Sequence, residues 1–120
     1  MKILVADDSK AMRMIVVRTL RQAGLGGHDI IEAEDGKQAY EIVRAQGVDL
    51  VLSDWNMPEM TGIELLKALR SSGSEVPFCF VTSEGSDEMR EQASQAGAMG
   101  LIAKPFTSDA FGDILAPVVA

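Results

Sequence analysis

Five short apolar runs recur along the chain, and each is followed by a longer stretch in which apolar residues return every three or four positions. Short apolar runs and longer stretches with a period near 3.6 belong to different elements, so the alternation points to repeated strand and helix units. The runs predict strands at Ile3 to Ala6, Asp29 to Ala33, Leu50 to Ser53, Phe78 to Val81 and Leu101 to Ala103. Four are continuously apolar, as strands covered on both faces must be; only the second, with Glu32 inside it, reads as an edge. Met12, Ile15, Val16, Leu20 and Ala23 predict one inward helical stripe, and Ala39, Ile42 and Val43 the next. Thr61 with Glu64 forms a capping box ahead of Leu65, Leu66 and Leu69, and Asp35 with Gln38 a looser one. Ser86 and Ser108 are expected to cap the last two helices. The fourth helix offers only Met89, Ala93 and Ala96 to the core, so its docking should be the weakest.

Short connections between such units give parallel strands joined by right-handed crossovers. The expected fold is α/β, a (βα)5 doubly wound parallel sheet in the flavodoxin-like order 2-1-3-4-5. At 120 residues with no linker or repeat, one domain spanning 1–120 is expected, with no output domain. Eighteen Asp and Glu against eleven Lys and Arg leave a net charge of -7, which repels nucleic-acid phosphates and anionic lipid. The N-terminus lacks the apolar region of a signal peptide and no run reaches membrane-spanning length, so a cytoplasmic monomer is expected, with no nucleic acid or membrane partner. Cys79 lies alone in an apolar stretch and reads as a reduced core residue.

In doubly wound sheets, ligands bind beyond the carboxyl ends of the strands. Those ends carry Asp7-Asp8, Asp54, Thr82-Ser83 and Lys104-Pro105. Singly, each is an ordinary polar strand end. Together they bring three carboxylates to one edge, where each pair at about 4 Å repels by up to about 4 kcal/mol at an effective dielectric of about 20. Such a cluster requires a cation, and oxygen ligands without His or Cys suit Mg²⁺. With Mg²⁺ and Lys104 the site is near neutral and can accept a dianionic phosphoryl group. Asp54, alone at the central strand, is the candidate nucleophile; Asp7 and Asp8 reach in as metal ligands, and Thr82 and Lys104 hold phosphoryl oxygens. No Gly-rich phosphate loop is present, which argues against a flavin. His28 falls in a Gly-Gly-His turn and reads as a solvated ring, and Trp55, beside Asp54, as a reporter group.

The segments Val5-Ala6-Asp7-Asp8-Ser9, Ser53 to Pro58, Met60 to Glu64, Val81-Thr82-Ser83 and Ala103 to Phe106 together resemble the receiver domain of bacterial response regulators, over the whole chain. Within that family, Asp54 to Pro58, Glu64 to Lys67 and Gln95 to Ala98 with Gly100 are most similar to single-domain chemotaxis regulators. The resemblance implies that Asp54 accepts a phosphoryl group from a sensor histidine kinase, of chemotaxis type. Asp8 and the carbonyl of Asn56 would bind Mg²⁺ beside Asp54, with Asp7 assisting through water. Thr82 would be the switch hydroxyl, Lys104 the phosphate-pairing cation and Pro105 a residue that follows a cis peptide bond. Asn56 and Glu84 would tune dephosphorylation. Output would pass through the face made by the fourth helix, fifth strand and fifth helix to a flagellar motor switch or a phosphotransfer protein. One position and one segment depart from the chemotaxis pattern: Leu101 stands where an aromatic usually turns inward, and Ser86-Asp87-Glu88 where lysines are usual. The rival readings are a phosphorelay receiver, a binding module that is never phosphorylated, and an aspartate-nucleophile phosphatase. The last wants a D-x-D pattern at the first strand, which Asp7-Asp8-Ser9 does not give.

Overall fold

In the computed structural model, which describes residues 1–103 and 106–119, the apolar runs form β1 (Lys2–Ala6), β2 (Asp29–Ala33), β3 (Leu50–Ser53), β4 (Phe78–Thr82) and β5 (Gly100–Ala103). They alternate with α1 (Lys10–Gln22), α2 (Gly36–Gln46), α3 (Gly62–Ser71), α4 (Asp87–Gln95) and α5 (Ser108–Val119). The strands form one parallel sheet in the order β2-β1-β3-β4-β5. The expected (βα)5 topology is therefore present. Lys104 and Pro105, with the cis bond expected there, lie outside the described residues.

The period of two along each strand divides the core into two layers. Leu4, Ala6, Val51, Phe78, Phe80 and Leu101 face α2, α3 and α4 and pack with Leu65, Leu66 and Leu69. Ile3, Val5, Leu50, Leu52, Cys79, Val81 and Ile102 face α1 and α5 and pack with Val16, Leu20, Phe111 and Leu115. Burial also pushes the Cys79 thiol up to about 12, so it stays protonated. No helix among the described residues is long and apolar enough to cross a membrane.

Four local expectations need correction. Ile15 is 43% exposed, and the inward positions of α1 go to Arg13, Val16, Thr19 and Leu20. This set follows a spacing of three, three and one, and its polar members are satisfied: the Thr19 hydroxyl donates to the Ile15 carbonyl at 2.8 Å, and the Arg13 guanidinium finds two acceptors. Second, β5 is an edge as well as β2, and is apolar because Leu101 enters one core layer and Ile102 the other. Third, α5 already includes Ser108, and Thr107 does the capping by accepting the Ala110 N–H at 3.1 Å. Fourth, His28 is half-buried, with Nδ1 3.2 Å from the Met1 amino group. The Thr61–Glu64 capping box is complete, Ser86 caps α4, and Ala93 is the only buried residue of α4.

Candidate functional site

The parallel register brings the carboxyl ends of the central strands level. Ala6 pairs with Ser53 and Ser53 with Phe80, so the residues just beyond, Asp7 and Asp54, emerge side by side. The Asp54 N–H donates to the Ala6 carbonyl at 2.9 Å, and the Asp7 N–H to the Ala33 carbonyl at 3.1 Å. As a result, one carboxylate oxygen each from Asp7, Asp8 and Asp54 lies within 4.8 Å of the others. Asp7 is buried, Asp54 half-buried and Asp8 exposed.

Asp7 shows what this convergence does to the groups. Burial, opposed by the Ser9 N–H that donates to its Oδ1 at 2.8 Å and assisted by the charges of Asp54 and Asp8, raises its pKa to about 6. A cation placed among the three carboxylates relieves both penalties, and an all-oxygen donor set on one open side fits Mg²⁺, which retains waters and takes few protein ligands.

The loop from β3 to α3 shapes the mouth. Asp54 Oδ1 accepts the Trp55 N–H at 2.8 Å, while the Trp55 ring packs on Phe80 of β4 with centroids 4.7 Å apart. The Gly62 N–H donates to the Trp55 carbonyl at 2.8 Å, and a Cβ on Gly62 would run into the Asp54 carbonyl, so only glycine lets α3 start this close. Glu59, at φ 67°, takes the left-handed turn between Pro58 and Met60. A cavity of about 340 Å³ opens here, lined by Asp8, Asn56, Met57, Pro58 and Thr61.

The other candidates are distributed as follows. Exposed Asn56 borders this cavity with Asp8. Thr82, 1% exposed, ends the next strand, and its hydroxyl oxygen accepts the Glu84 N–H at 3.3 Å; Glu84 itself is exposed. Leu101 is buried on β5, in the layer facing α4, away from the carboxylates. Lys104 lies outside the described residues. The sequence reading missed Arg13, whose guanidinium donates to the Asp7 carbonyl at 2.7 Å and to Glu32 at 2.9 Å. The available signal was a basic residue six positions after Asp7 and three before Val16, at helical spacing from the apolar stripe, together with Glu32 in the interior of the second strand.

Residues 3–116 match the response regulator receiver domain family. The chain belongs to that family. Among curated relatives it is 43% identical to chemotaxis protein CheY1 of Helicobacter pylori, over 89% of this chain and 87% of that protein. It is 39% identical to a CheY homolog of Campylobacter jejuni subsp. jejuni, over 99% of this chain and 92% of the relative. Among solved structures, Vibrio cholerae chemotaxis protein CheY4 superposes with a TM-score of 0.84 at 34% identity, covering 98% of each chain. The Francisella response regulator 1452 receiver domain superposes at 0.85 with 29% identity, covering 98% of this chain and 94% of the other. The chain is thus a CheY-type receiver domain, a signalling module of two-component systems.

Proposed function

We propose that the chain is a cytoplasmic, monomeric phosphoacceptor switch of chemotaxis type. The observation that carries this reading is the convergence of three carboxylates from two adjacent strand ends, with Asp54 on the central strand. In this reading an Asp54 carboxylate oxygen attacks the phosphorus of a phosphohistidine on a chemotaxis-type sensor kinase, the P–N bond breaks, and the imidazole leaves. Asp8, Asp54 and the Asn56 carbonyl would hold Mg²⁺, with Asp7 behind them. When bound, Mg²⁺ neutralises the carboxylates and draws charge from the transferring phosphoryl oxygens. The Thr82 hydroxyl and the Lys104 ammonium take the remaining oxygens, and the acyl phosphate alters the face built from α4, β5 and α5. That face then binds a downstream protein, a flagellar motor switch or a phosphotransfer protein. The acidic start of α4, Asp87 and Glu88, differs from the lysine-rich edge of the motor-binding type and keeps the phosphotransfer branch as the second reading.

Incubation with acetyl phosphate and Mg²⁺ tests the chemistry without a kinase. The wild type is expected to gain one phosphoryl mass and to change Trp55 fluorescence, and Asp54→Asn to do neither. An adduct mapped to another residue sinks the assignment.

A further inference from the structure

Arg13 is buried, 7% exposed, at the base of the acidic site. Its Nη1 donates to the carbonyl of Asp7 at 2.7 Å, and its Nε to Glu32 Oε1 at 2.9 Å. That carbonyl belongs to the peptide joining Asp7 to Asp8. A peptide is planar, so holding its oxygen fixes the plane and with it the direction in which the chain reaches Asp8. The turn is held from three other sides: the Asp7 N–H by Ala33, Asp7 Oδ1 by the Ser9 N–H, and the Ser9 carbonyl by the Arg13 N–H.

We propose that Arg13 is a positioning residue for the divalent cation, clamping the 7–8 peptide so that the Asp7 and Asp8 carboxylates stay converged on Asp54 against their mutual repulsion. The inference rests on the Mg²⁺-assisted phosphoacceptor reading above. A bland alternative is that Arg13 only satisfies a buried carbonyl. Burying a guanidinium is costly, however, and apolar replacements of buried ion pairs are often neutral or stabilising, so stability alone is a poor reason for this residue. Electrostatics alone is also a poor one, because a positive charge beside a cation site opposes cation binding. Glu32 partly cancels that opposition, pairing with the guanidinium while its own side chain stays 49% exposed.

These considerations give the test a sign. Removing a positive charge by Arg13→Met tightens Mg²⁺ binding if charge is all that matters, leaves it unchanged if the role is only structural, and weakens it if the clamp positions the ligands. Mg²⁺ titrations followed by Trp55 emission should show Kd rising about tenfold in Arg13→Met, the usual scale for losing a partner that orients a metal ligand. Arg13→Lys keeps the charge but replaces the planar fork with a point charge on a flexible stem, so a smaller rise, about threefold, is expected. Arg18→Met, which removes an exposed cation from the same helix, should not weaken binding. Phosphorylation by acetyl phosphate should be slowed in Arg13→Met at low Mg²⁺ and recover at saturating Mg²⁺. An unchanged or lower Kd in folded Arg13→Met overturns the proposal; if that variant does not fold, an unchanged Kd in Arg13→Lys does so. A wild type whose emission and melting temperature both ignore Mg²⁺ overturns the metal-site reading and this inference together, whereas unchanged variants beside a responsive wild type overturn the positioning role alone.

Discussion

The raised pKa of Asp7 makes the metal-free protein's stability fall as pH rises. Folded, Asp7 holds its proton up to about pH 6; unfolded, it releases it near 3.8. Between those values the native state binds more protons than the unfolded one, so the stabilisation is complete below pH 3.8 and is lost as pH rises through about 6. Over the whole window the two pKa values correspond to about 3 kcal/mol, and between pH 5 and pH 7.5 to about 1.4 kcal/mol. Water reaches the cluster through exposed Asp8, and allowing half of the effect for that screening leaves about 0.7 kcal/mol, or roughly 3 °C in melting temperature for a domain of this size.

Thermal melts in EDTA at pH 5 and pH 7.5 measure this, with Asp7→Asn as the reference. Glu64 pulls the other way, since its capping bonds to Thr61 lower its pKa and give a contribution that is lost as pH falls. The variant retains Glu64, so subtracting its pH profile isolates Asp7. Wild type is expected to gain stability at pH 5 relative to Asp7→Asn, and saturating Mg²⁺ at pH 7.5 to restore what deprotonation took away. If wild type shows no excess gain at pH 5 after that subtraction, burial and the neighbouring carboxylates do not penalise charged Asp7, and the electrostatic case for a cation among the three carboxylates fails.

Asn56 stands exposed beside Asp8 at the mouth of the cavity, so Asn56→Lys should lengthen the acyl-phosphate lifetime several-fold by occupying the path of the attacking water; phosphate release after removal of acetyl phosphate measures it, and an unchanged or faster rate contradicts it. Leu101→Tyr should increase the effect of beryllofluoride on hydrogen exchange in α4, from a wild-type coupling near the low end of about 1–3 kcal/mol; a strongly coupled wild type with an unimproved tyrosine variant would show that the signal bypasses this position.

The strands and the acidic site were legible because each rests on a local rule. Continuous apolar runs such as Leu50 to Leu52 can only be buried strands here, and parallel register carries Asp7 and Asp54 to the same edge whatever the helices do. Capping by Thr61 with Glu64, and by Asp35 with Gln38, is likewise decided within four residues. The face of α1 was not legible, because a count of apolar residues places Ile15 inside and leaves Arg13 out. What reverses them is tertiary: a strand-end carbonyl and an edge-strand carboxylate stand where a guanidinium can meet both, at separations of 6 and 19 residues in sequence. The Glu32 that marked β2 as an edge and the Arg13 that the apolar count left out of the α1 stripe are two ends of one interaction.

The same distinction bears on how the proposed switch would pass its signal out of the site. Ala93 is the only buried residue of α4, and a methyl group contributes roughly 1 kcal/mol of apolar burial. A second tie is polar: Arg90 Nη1 donates to the Leu101 carbonyl at 3.0 Å, bridging α4 to β5. A net contribution of about 1 kcal/mol for that hydrogen bond leaves the helix held by a few kcal/mol at most, half-buried Met89 and Ala96 included. That is the same order as the coupling free energies by which one site biases another. Gly85 packs beneath the bridge, where a Cβ would lie 2.7 Å from the Ala103 Cβ and 3.3 Å from Arg90 Nη2. Arg90 thus ties α4 to the Leu101 backbone and lies close to Gly85 in the loop that follows Thr82, so in the proposed switch a shift of the Thr82 hydroxyl would have a short route to α4 that does not require an aromatic ring at position 101. Leucine there supplies packing, and the arginine bridge supplies the directional contact that a leucine side chain cannot make.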